Sequence, residues 1–339
     1  MSDYFDFEFI DGSDSSELIP ESAFLEGGDF QFLDLDPATC QIGTLSEQSG
    51  TLDPTPHELI QATVQISDTF NLNTNHDSIP PNTIILSIDN TVFAVHHHRL
   101  LACSINNFGG YLQSNNLPSR ENFISFLVSE PSDVLNVLLH TIYNIPCDVY
   151  SPSLSSISSS LSTFDKYGLV PFERFLSKGT PLFTTILNRA VVDPIETYAL
   201  AASYALEDLA VAASAYTLHV KLHTLCPDIV DKMGTRYMQR LYNLHGSRMD
   251  KLRELLDRKL YPHVATPTCS VEKRQVVSRA LNLAGKQVMY DASPAMTRSG
   301  IENVMRGVAD SVACADCREA AHKHIKEIST QWMIFERTI

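Results

Sequence analysis

Residues 83–112, TIILSIDNTVFAVHHHRLLACSINNFGGYL, hold two short β-rich runs followed by a helical run. TIILSI and TVFAV are rich in β-branched and aromatic residues, and the turn pair Asp89-Asn90 separates them, which predicts a β-hairpin. Apolar residues between Leu100 and Leu112 then recur at helical intervals, with a break at Gly109-Gly110. We therefore expect a hairpin followed by two short helices.

The chain after this stretch predicts one more strand and one more helix. FISFLV at 123–128 has the composition of a strand. SEPSDVLNVLLHTIY at 129–143 carries an apolar helical face behind Ser132 or Ser129 as a cap. The sheet would thus contain about three or more short strands packed on helices.

A serine-rich segment at 151–163 could be a flexible linker, but its apolar spacing favours a helix. Leu154, Ile157 and Leu161 recur at intervals of three and four, behind a Ser151 cap with Pro152 at the first helical position. We expect an amphipathic helix whose serines face solvent or a partner.

Beyond Gly179 the pattern is almost wholly helical, and no strand signal of comparable strength follows residue 128. The expected helices span 181–190, 194–206, 208–224, 227–243, 246–260, 271–290 and a long final stretch, 301–335. The fold class is therefore α+β, with a small mixed domain followed by an all-α region.

The acidic residues concentrate at one end of the chain. All 25 Lys and Arg lie at or after Arg99, whereas 17 of the 40 acidic residues precede it, within a net charge of -15. Residues 1–80 have few aliphatic runs, so we expect a disordered acidic tail. Its acidic-aromatic patches at 3–10 and 27–37 fit either a solubilising tail or an activation segment. The net negative charge of the chain repels the phosphate backbones of nucleic acids, which argues against direct nucleic-acid binding.

Composition also indicates where the chain resides. No apolar run reaches the roughly 18 to 20 residues of a membrane span, and MSDYFDFEFI does not resemble a secretory or mitochondrial presequence. The seven cysteines are an odd, scattered set, which favours reduced thiols. We expect residence in the cytoplasm or nucleus, without membrane attachment.

A search for catalytic motifs predicts no enzyme and no cofactor. Gly285-Lys286 lacks the rest of a phosphate-binding loop, and His57-Glu58 lacks the second histidine of a zinc-protease helix. No GxGxxG or GxSxG motif occurs. For His96–His98 we expect one packed and two exposed rings rather than a metal site.

The weak metal candidates are Cys314 and Cys317, because CxxC is a common half of a structural zinc site. His322 and His324 follow closely, but His324 would lie about 10.5 Å along a helix from Cys317, too far to share one ion. In one continuous helix both thiols would lie on the apolar stripe, so we expect small buried residues. A zinc-stabilised domain is the alternative.

Several segments together resemble a BTB/POZ domain over about residues 82–180. Its strand, turn, F-x-V-H, leucine-bearing helix and S-x-x-F are matched in order, as are its L-L-x-x-I-Y helix and its K-Y-x-L segment. The matching positions are Asp89, Phe93, Val95, His96, Leu100, Ser104, Phe108, Leu138, Leu139, Tyr143 and Tyr167. The helical half, with its closing C-x-x-C helix, is similar to the C-terminal extension of fungal BTB proteins.

Composition predicts an acidic tail at 1–80, and the resemblance implies a BTB/POZ-like domain at 81–180 followed by a helical region at 181–339. It implies a non-enzymatic interaction module that homodimerises and binds protein partners, as an adaptor or a transcription-linked scaffold. One alternative is a substrate-recruiting adaptor of a cullin ubiquitin ligase. Another, from a different class, is an enzyme with an unrecognised site in the helical half, which clustered His and Cys in a pocket would favour.

Overall fold

The computed structural model describes residues 64–74, 76–112 and 123–339, and it shows a mixed α+β architecture. The acidic-aromatic patches at 3–10 and 27–37 lie outside the described residues. The first elements in chain order are β1 (Gln65–Ile66), β2 (Thr83–Leu86), β3 (Thr91–Val95), α1 (His97–Cys103), β4 (Ile124–Leu127) and α2 (Ser132–Tyr143).

The four strands form one sheet in the order β1-β3-β2-β4. The predicted hairpin is confirmed, since β2 and β3 pair antiparallel around a turn in which Asn90 has a positive φ. β1 pairs parallel with β3, and β4 pairs parallel with β2. One face of the sheet, carrying Ile85 and Phe93, is buried against the helices.

Residues 64–80 correct the expectation of a tail that is disordered to residue 80. β1 lies in this segment, and the Phe70 side chain is fully buried in the core. The Phe70 carbonyl accepts a hydrogen bond from Ala94 N in β3 at 2.8 Å. The sequence prediction missed this contact because the residues that follow Phe70, 71–78, are mostly polar.

The remaining elements are all helical. They are α3 (Leu154–Ser162), α4 (Phe164–Tyr167), α5 (Glu173–Leu176), α6 (Pro181–Arg189), α7 (Pro194–Ser203), α8 (Glu207–Ser214), α9 (Pro227–Leu256), α10 (Val271–Tyr290), α11 (Arg298–Asp310) and α12 (Ala315–Ile334). No helix among the described residues is both long enough and apolar enough to cross a bilayer.

The serine-rich segment is a helix, as predicted, but its cap is Ser153 rather than Ser151. The Ser153 hydroxyl accepts a hydrogen bond from Ser156 N. Ser155, Ser159 and Ser162 are exposed as expected, whereas Ser156 and Ser160 are buried, so the expectation of serines that face outward is wrong for these two. Ser156 donates to the Asp133 carboxylate at 2.5 Å and so joins α3 to α2.

Four helical expectations are wrong in extent. The segment 104–112 is irregular rather than a second helix, because Asn107, Phe108 and both glycines adopt positive φ. The helix expected over 208–224 ends at Ser214 in α8. α9 continues through Gly246 and has its interruption at Gly234, where φ is 71°. The final stretch is two helices, α11 and α12, instead of one.

Two apolar cores hold these elements. The first core runs without interruption from Phe70 through the sheet and α2–α8 to Leu244 in α9, so it crosses residue 180. The second core runs from Leu252 in α9 to Trp332 and joins α9–α12. α9 therefore contributes side chains to both.

Candidate functional site

The hairpin turn between β2 and β3 caps helix α2. Asp89 accepts hydrogen bonds from Ser132 N at 3.0 and 3.1 Å and from the Ser132 hydroxyl at 2.6 Å, at the start of α2. Burial opposes the charged carboxylate, but hydrogen bonds from Ser132 and Ser87 hold the pKa of Asp89 below its usual value. The side chain that caps α2 thus comes from the hairpin rather than from Ser132 or Ser129.

His96 connects the end of β3 to α2 and to the preceding loop. Its Nε2 lies 2.8 Å from the Ile79 carbonyl, which can only accept, so Nε2 carries the proton and Nδ1 accepts from the Tyr143 hydroxyl at 2.7 Å. The Tyr143 oxygen accepts in turn from His96 N at 2.7 Å. His97 is buried as well, and of the three histidines only His98 is substantially exposed. The expectation of one packed and two exposed rings is therefore wrong, because two rings are packed.

A second group of matching positions joins the 104–108 turn to α4. The Ser104 hydroxyl donates to the Tyr167 carbonyl at 2.7 Å and accepts from Phe108 N at 2.6 Å. The Phe108 and Tyr167 rings stack with centroids 4.3 Å apart. The Tyr167 hydroxyl donates to Glu130, which also pairs with Lys166 at 2.5 Å.

Nine of the eleven matching positions are buried, whereas Ser104 is partly buried and Asp89 is exposed at the hairpin turn. Phe93, Val95, Leu100, Leu138 and Leu139 are all buried in the first core. The remaining positions pack in the core or hydrogen-bond to neighbouring elements. They maintain the scaffold, and a binding surface has to be sought among exposed residues.

The opposite face of the sheet carries an apolar row that is exposed at its two ends and half-buried at its centre. Strand register places Ile66 beside Val92, Val92 beside Leu86, and Leu86 beside Leu127. We call Ile66, Val92, Leu86 and Leu127 the sheet-face row. Ile66 is 66% exposed and Leu127 is 59% exposed. None of the four belongs to either core, so the row crosses all four strands without a covering element among the described residues.

In the helical half, the C-x-x-C pair lies close to two side chains that are distant in the sequence. Cys314 and Cys317 meet His263 and Cys269, and their nearest ligand atoms all lie within 4.8 Å of one another. His263 Nε2 is 3.4 Å from Cys314 Sγ and 3.3 Å from Cys317 Sγ, and Cys269 Sγ is 3.6 Å from Cys317 Sγ. We call these four residues the Cys3His cluster. Three thiols and one imidazole are a ligand set of structural zinc sites.

Local structure positions both halves of the cluster. Pro267 lies inside a tight turn in which Cys269 N donates to the Thr266 carbonyl at 3.1 Å. Cys314 is the N-cap residue of α12, and Cys317 lies one turn later. This corrects the expectation of a continuous helix with both thiols on its apolar stripe. Cys317 is indeed fully buried, whereas Cys314 is partly exposed where α12 begins.

The thiols of the CxxC pair differ in their electrostatics. The Cys317 backbone N–H faces the Cys314 sulfur and lowers the pKa of that thiol. Burial raises the pKa of the Cys317 thiol. A cleft of about 680 Å³ opens beside Cys269, Cys314 and Cys317 between α10 and the start of α12. The cluster is therefore reachable from solvent on one side.

The histidines considered at the sequence level lie elsewhere. His322 pairs with Asp310 at 3.0 Å, and burial lowers the pKa of His324 at a separate position. Sequence reasoning missed His263 and Cys269. The signal available was the spacing H-x5-C before a distant C-x2-C, which is informative only once α9–α12 are known to pack together.

Comparison with known proteins gives no relative. No protein-family model matches the chain, and no curated protein or solved structure matches it. The BTB/POZ resemblance therefore stays a prediction that rests on the residues quoted for it.

Proposed function

We propose that this chain is a non-enzymatic protein-interaction module that pairs with a second copy of itself through the sheet-face row. The observation that carries the proposal is the alignment of four apolar side chains across the whole sheet, of which Ile66 and Leu127 are exposed and Leu86 and Val92 are half-buried. Burying such a row against a partner is favourable by about 25 cal/mol for each Å² removed from water.

A second copy is the occupant that the geometry favours. A two-fold axis through the row would bring each apolar side chain against the same patch of the other chain, which is the geometry of most dimers. The resemblance to BTB/POZ domains, which homodimerise, agrees with the same arrangement.

The test is the solution mass of the full chain, measured by light scattering over a dilution series. We expect about twice the 37.7 kDa of one chain at low micromolar concentration. In the double variant Ile66→Lys, Leu127→Lys, the dissociation constant of the dimer should rise at least about tenfold, because each interface would bury four unpaired charges. A wild-type chain that stays monomeric at tens of micromolar would refute the proposal.

The matched control is Val192→Lys. Val192 is 69% exposed, close to the exposure of the two row residues, and it lies in the turn after α6. This variant should keep the dimer mass. Circular dichroism of all variants establishes that the fold is retained.

A thiol enzyme in the helical half is the second candidate function. The observation that favours it is the Cys314–His263 pair at 3.4 Å beside the cleft, since a thiol activated by an imidazole is a nucleophile. Its test is the rate at which iodoacetamide alkylates Cys314 in the full chain, compared with exposed Cys226. An activated thiolate predicts a rate at least about tenfold above that of Cys226 and a loss of that advantage in His263→Gln.

A further inference from the structure

We propose that the Cys3His cluster binds one Zn²⁺ ion as a closed structural site. His263, Cys269, Cys314 and Cys317 would supply all four ligands. The ion would join the loop between α9 and α10 to the first turn of α12.

The distances match a tetrahedral site before any ion is placed. Zn–S bonds of about 2.3 Å and Zn–N bonds of about 2.0 Å put tetrahedral ligands about 3.8 Å apart for two sulfurs and about 3.5 Å apart for sulfur and nitrogen. The Cys269–Cys317 separation is 3.6 Å, and the two imidazole–sulfur separations are 3.4 and 3.3 Å. The other three separations are at most 4.8 Å, so the ligand atoms come to tetrahedral positions with changes of at most about 1.3 Å in their separations.

The imidazole of His263 is already oriented as a ligand. Its Nδ1 lies 2.6 Å from the Val264 carbonyl, and since a carbonyl can only accept, Nδ1 carries the proton. In the neutral ring, the lone pair is then on Nε2, the atom that faces Cys314 and Cys317. A backbone partner on the second ring nitrogen is the usual outer support of a metal-bound histidine.

The loop that carries two of the ligands has little else to hold it. Residues 257–270 contain no helix or strand element apart from the Thr266–Cys269 bridge, and most of their side chains are exposed. Cys269 nevertheless is buried to 1% exposure and points at Cys317. Arg274 fixes the loop from α10 by donating to the His263 carbonyl at 2.7 Å. The Cys269 thiol is thus buried beside Cys317 although it lies in an exposed loop, which is the position expected of a metal ligand.

The donor set selects zinc over the other occupants of thiol sites. Iron–sulfur clusters are held mainly by four cysteines, whereas this cluster has three. A Cys269–Cys317 disulfide would leave Cys314 and His263 without a role, although both converge on the same point. Four protein ligands also leave no open position for a substrate, which is the mark of a structural zinc site rather than a catalytic one.

The experiment measures the metal content of the full chain, purified under reducing conditions, by inductively coupled plasma mass spectrometry. We expect one zinc per chain. Cobalt exchanged into the site should give the visible bands of a tetrahedral ion and a thiolate-to-cobalt charge-transfer band. Cys269→Ser should lower zinc affinity at least about tenfold, and Cys226→Ser, at an exposed cysteine outside the cluster, should not change it.

A second variant keeps the test decisive if Cys269→Ser fails to fold. Cys314→His replaces one ligand by another at the partly exposed position beside the cleft. We expect it to retain one metal per chain while the cobalt charge-transfer band loses about a third of its intensity, because two thiolates remain of three.

Three results would overturn the proposal. The first is a reduced, folded chain that contains no zinc as purified and takes up none from a stoichiometric titration. The second is a native Cys269–Cys317 disulfide, seen as a 2 Da loss by mass spectrometry. The third is a metal-free chain whose Cys314 thiol iodoacetamide alkylates equally fast before and after one equivalent of Zn²⁺ is added.

Discussion

The two cores of the molecule differ in size and in what supplements them. The first core contains 41 buried apolar residues, with aromatic side chains from the sheet, α2, α4 and α7. The second contains 14, and Trp332 is its one aromatic residue. Since burial of apolar surface is the main stabilising term, the second core depends more on specific polar links. The two halves of the molecule therefore reach stability by different means.

Arg248 is one such link. Its guanidinium is buried and donates to the backbone carbonyls of Pro294, Phe335 and Glu336 at 2.8, 3.1 and 2.6 Å. It also lies 4.2 Å from the centroid of the Trp332 ring. The second core is thus closed by one charged side chain, beside the loop and helix that the proposed zinc ion joins.

Removing the metal should produce the largest difference in stability between the two cores. A strong chelator should reduce hydrogen-exchange protection in α10–α12 and leave the sheet and α2 unchanged. A ligand present at about 1,000 times its Kd stabilises the folded state by about 4 kcal/mol, which is the size of the expected loss. Equal loss of protection in both regions would show that they form one cooperative unit.

Lowering the pH tests the junction between the cores. His245 lies on α9 between Leu244 and Leu252, and burial together with nearby Arg248 lowers its pKa to about 4. The unfolded chain therefore binds the proton first, so stability is lost as pH falls from about 6.5 to about 4 and levels off below that. The size of the loss is about 3 kcal/mol.

The measurement is the free energy of unfolding by urea between pH 7 and pH 4, for wild type and His245→Gln. The variant should lack this part of the pH dependence, because other histidines and carboxylates titrate equally in both proteins. Parallel curves for the two proteins would show that His245 does not couple protonation to folding.

Removing the hairpin cap should have the smallest effect, confined to the first core. Asp89→Ala deletes the acceptor for Ser132 N, so we expect a loss of about 1 kcal/mol in unfolding free energy and unchanged protection in α10–α12. The control Asp231→Ala alters an exposed carboxylate on α9 and should change stability by less than about 0.5 kcal/mol. If Asp89→Ala matches the control, the cap contributes nothing.

The sequence predicts elements whose signals are local. The hairpin turn, β4, α2 and α10 each carry their own periodicity and boundary residues, and the structure contains all four. The break between α11 and α12 was missed because neither Gly nor Pro marks 311–314 and the apolar spacing continues across it. β1 was missed because a two-residue strand has no periodicity to detect.

The candidate site was only half predictable for a related reason. Cys314 and Cys317 are three residues apart, so their pairing is visible in the sequence. His263 and Cys269 come from a loop about 50 residues earlier, and only the packing of α9 against α12 brings them to the same point. Long-range convergence of this kind leaves no trace in local spacing.

Helix α9 has a mechanical consequence. The segment after the interruption at Gly234 runs unbroken to Leu256, about 33 Å of continuous helix, with its first half in one core and its last turns in the other. If the chain is pulled from its two ends, both cores bear the same force, because the continuous helix α9 connects them. The smaller core, which Arg248 and the Cys3His cluster close, would then unfold first.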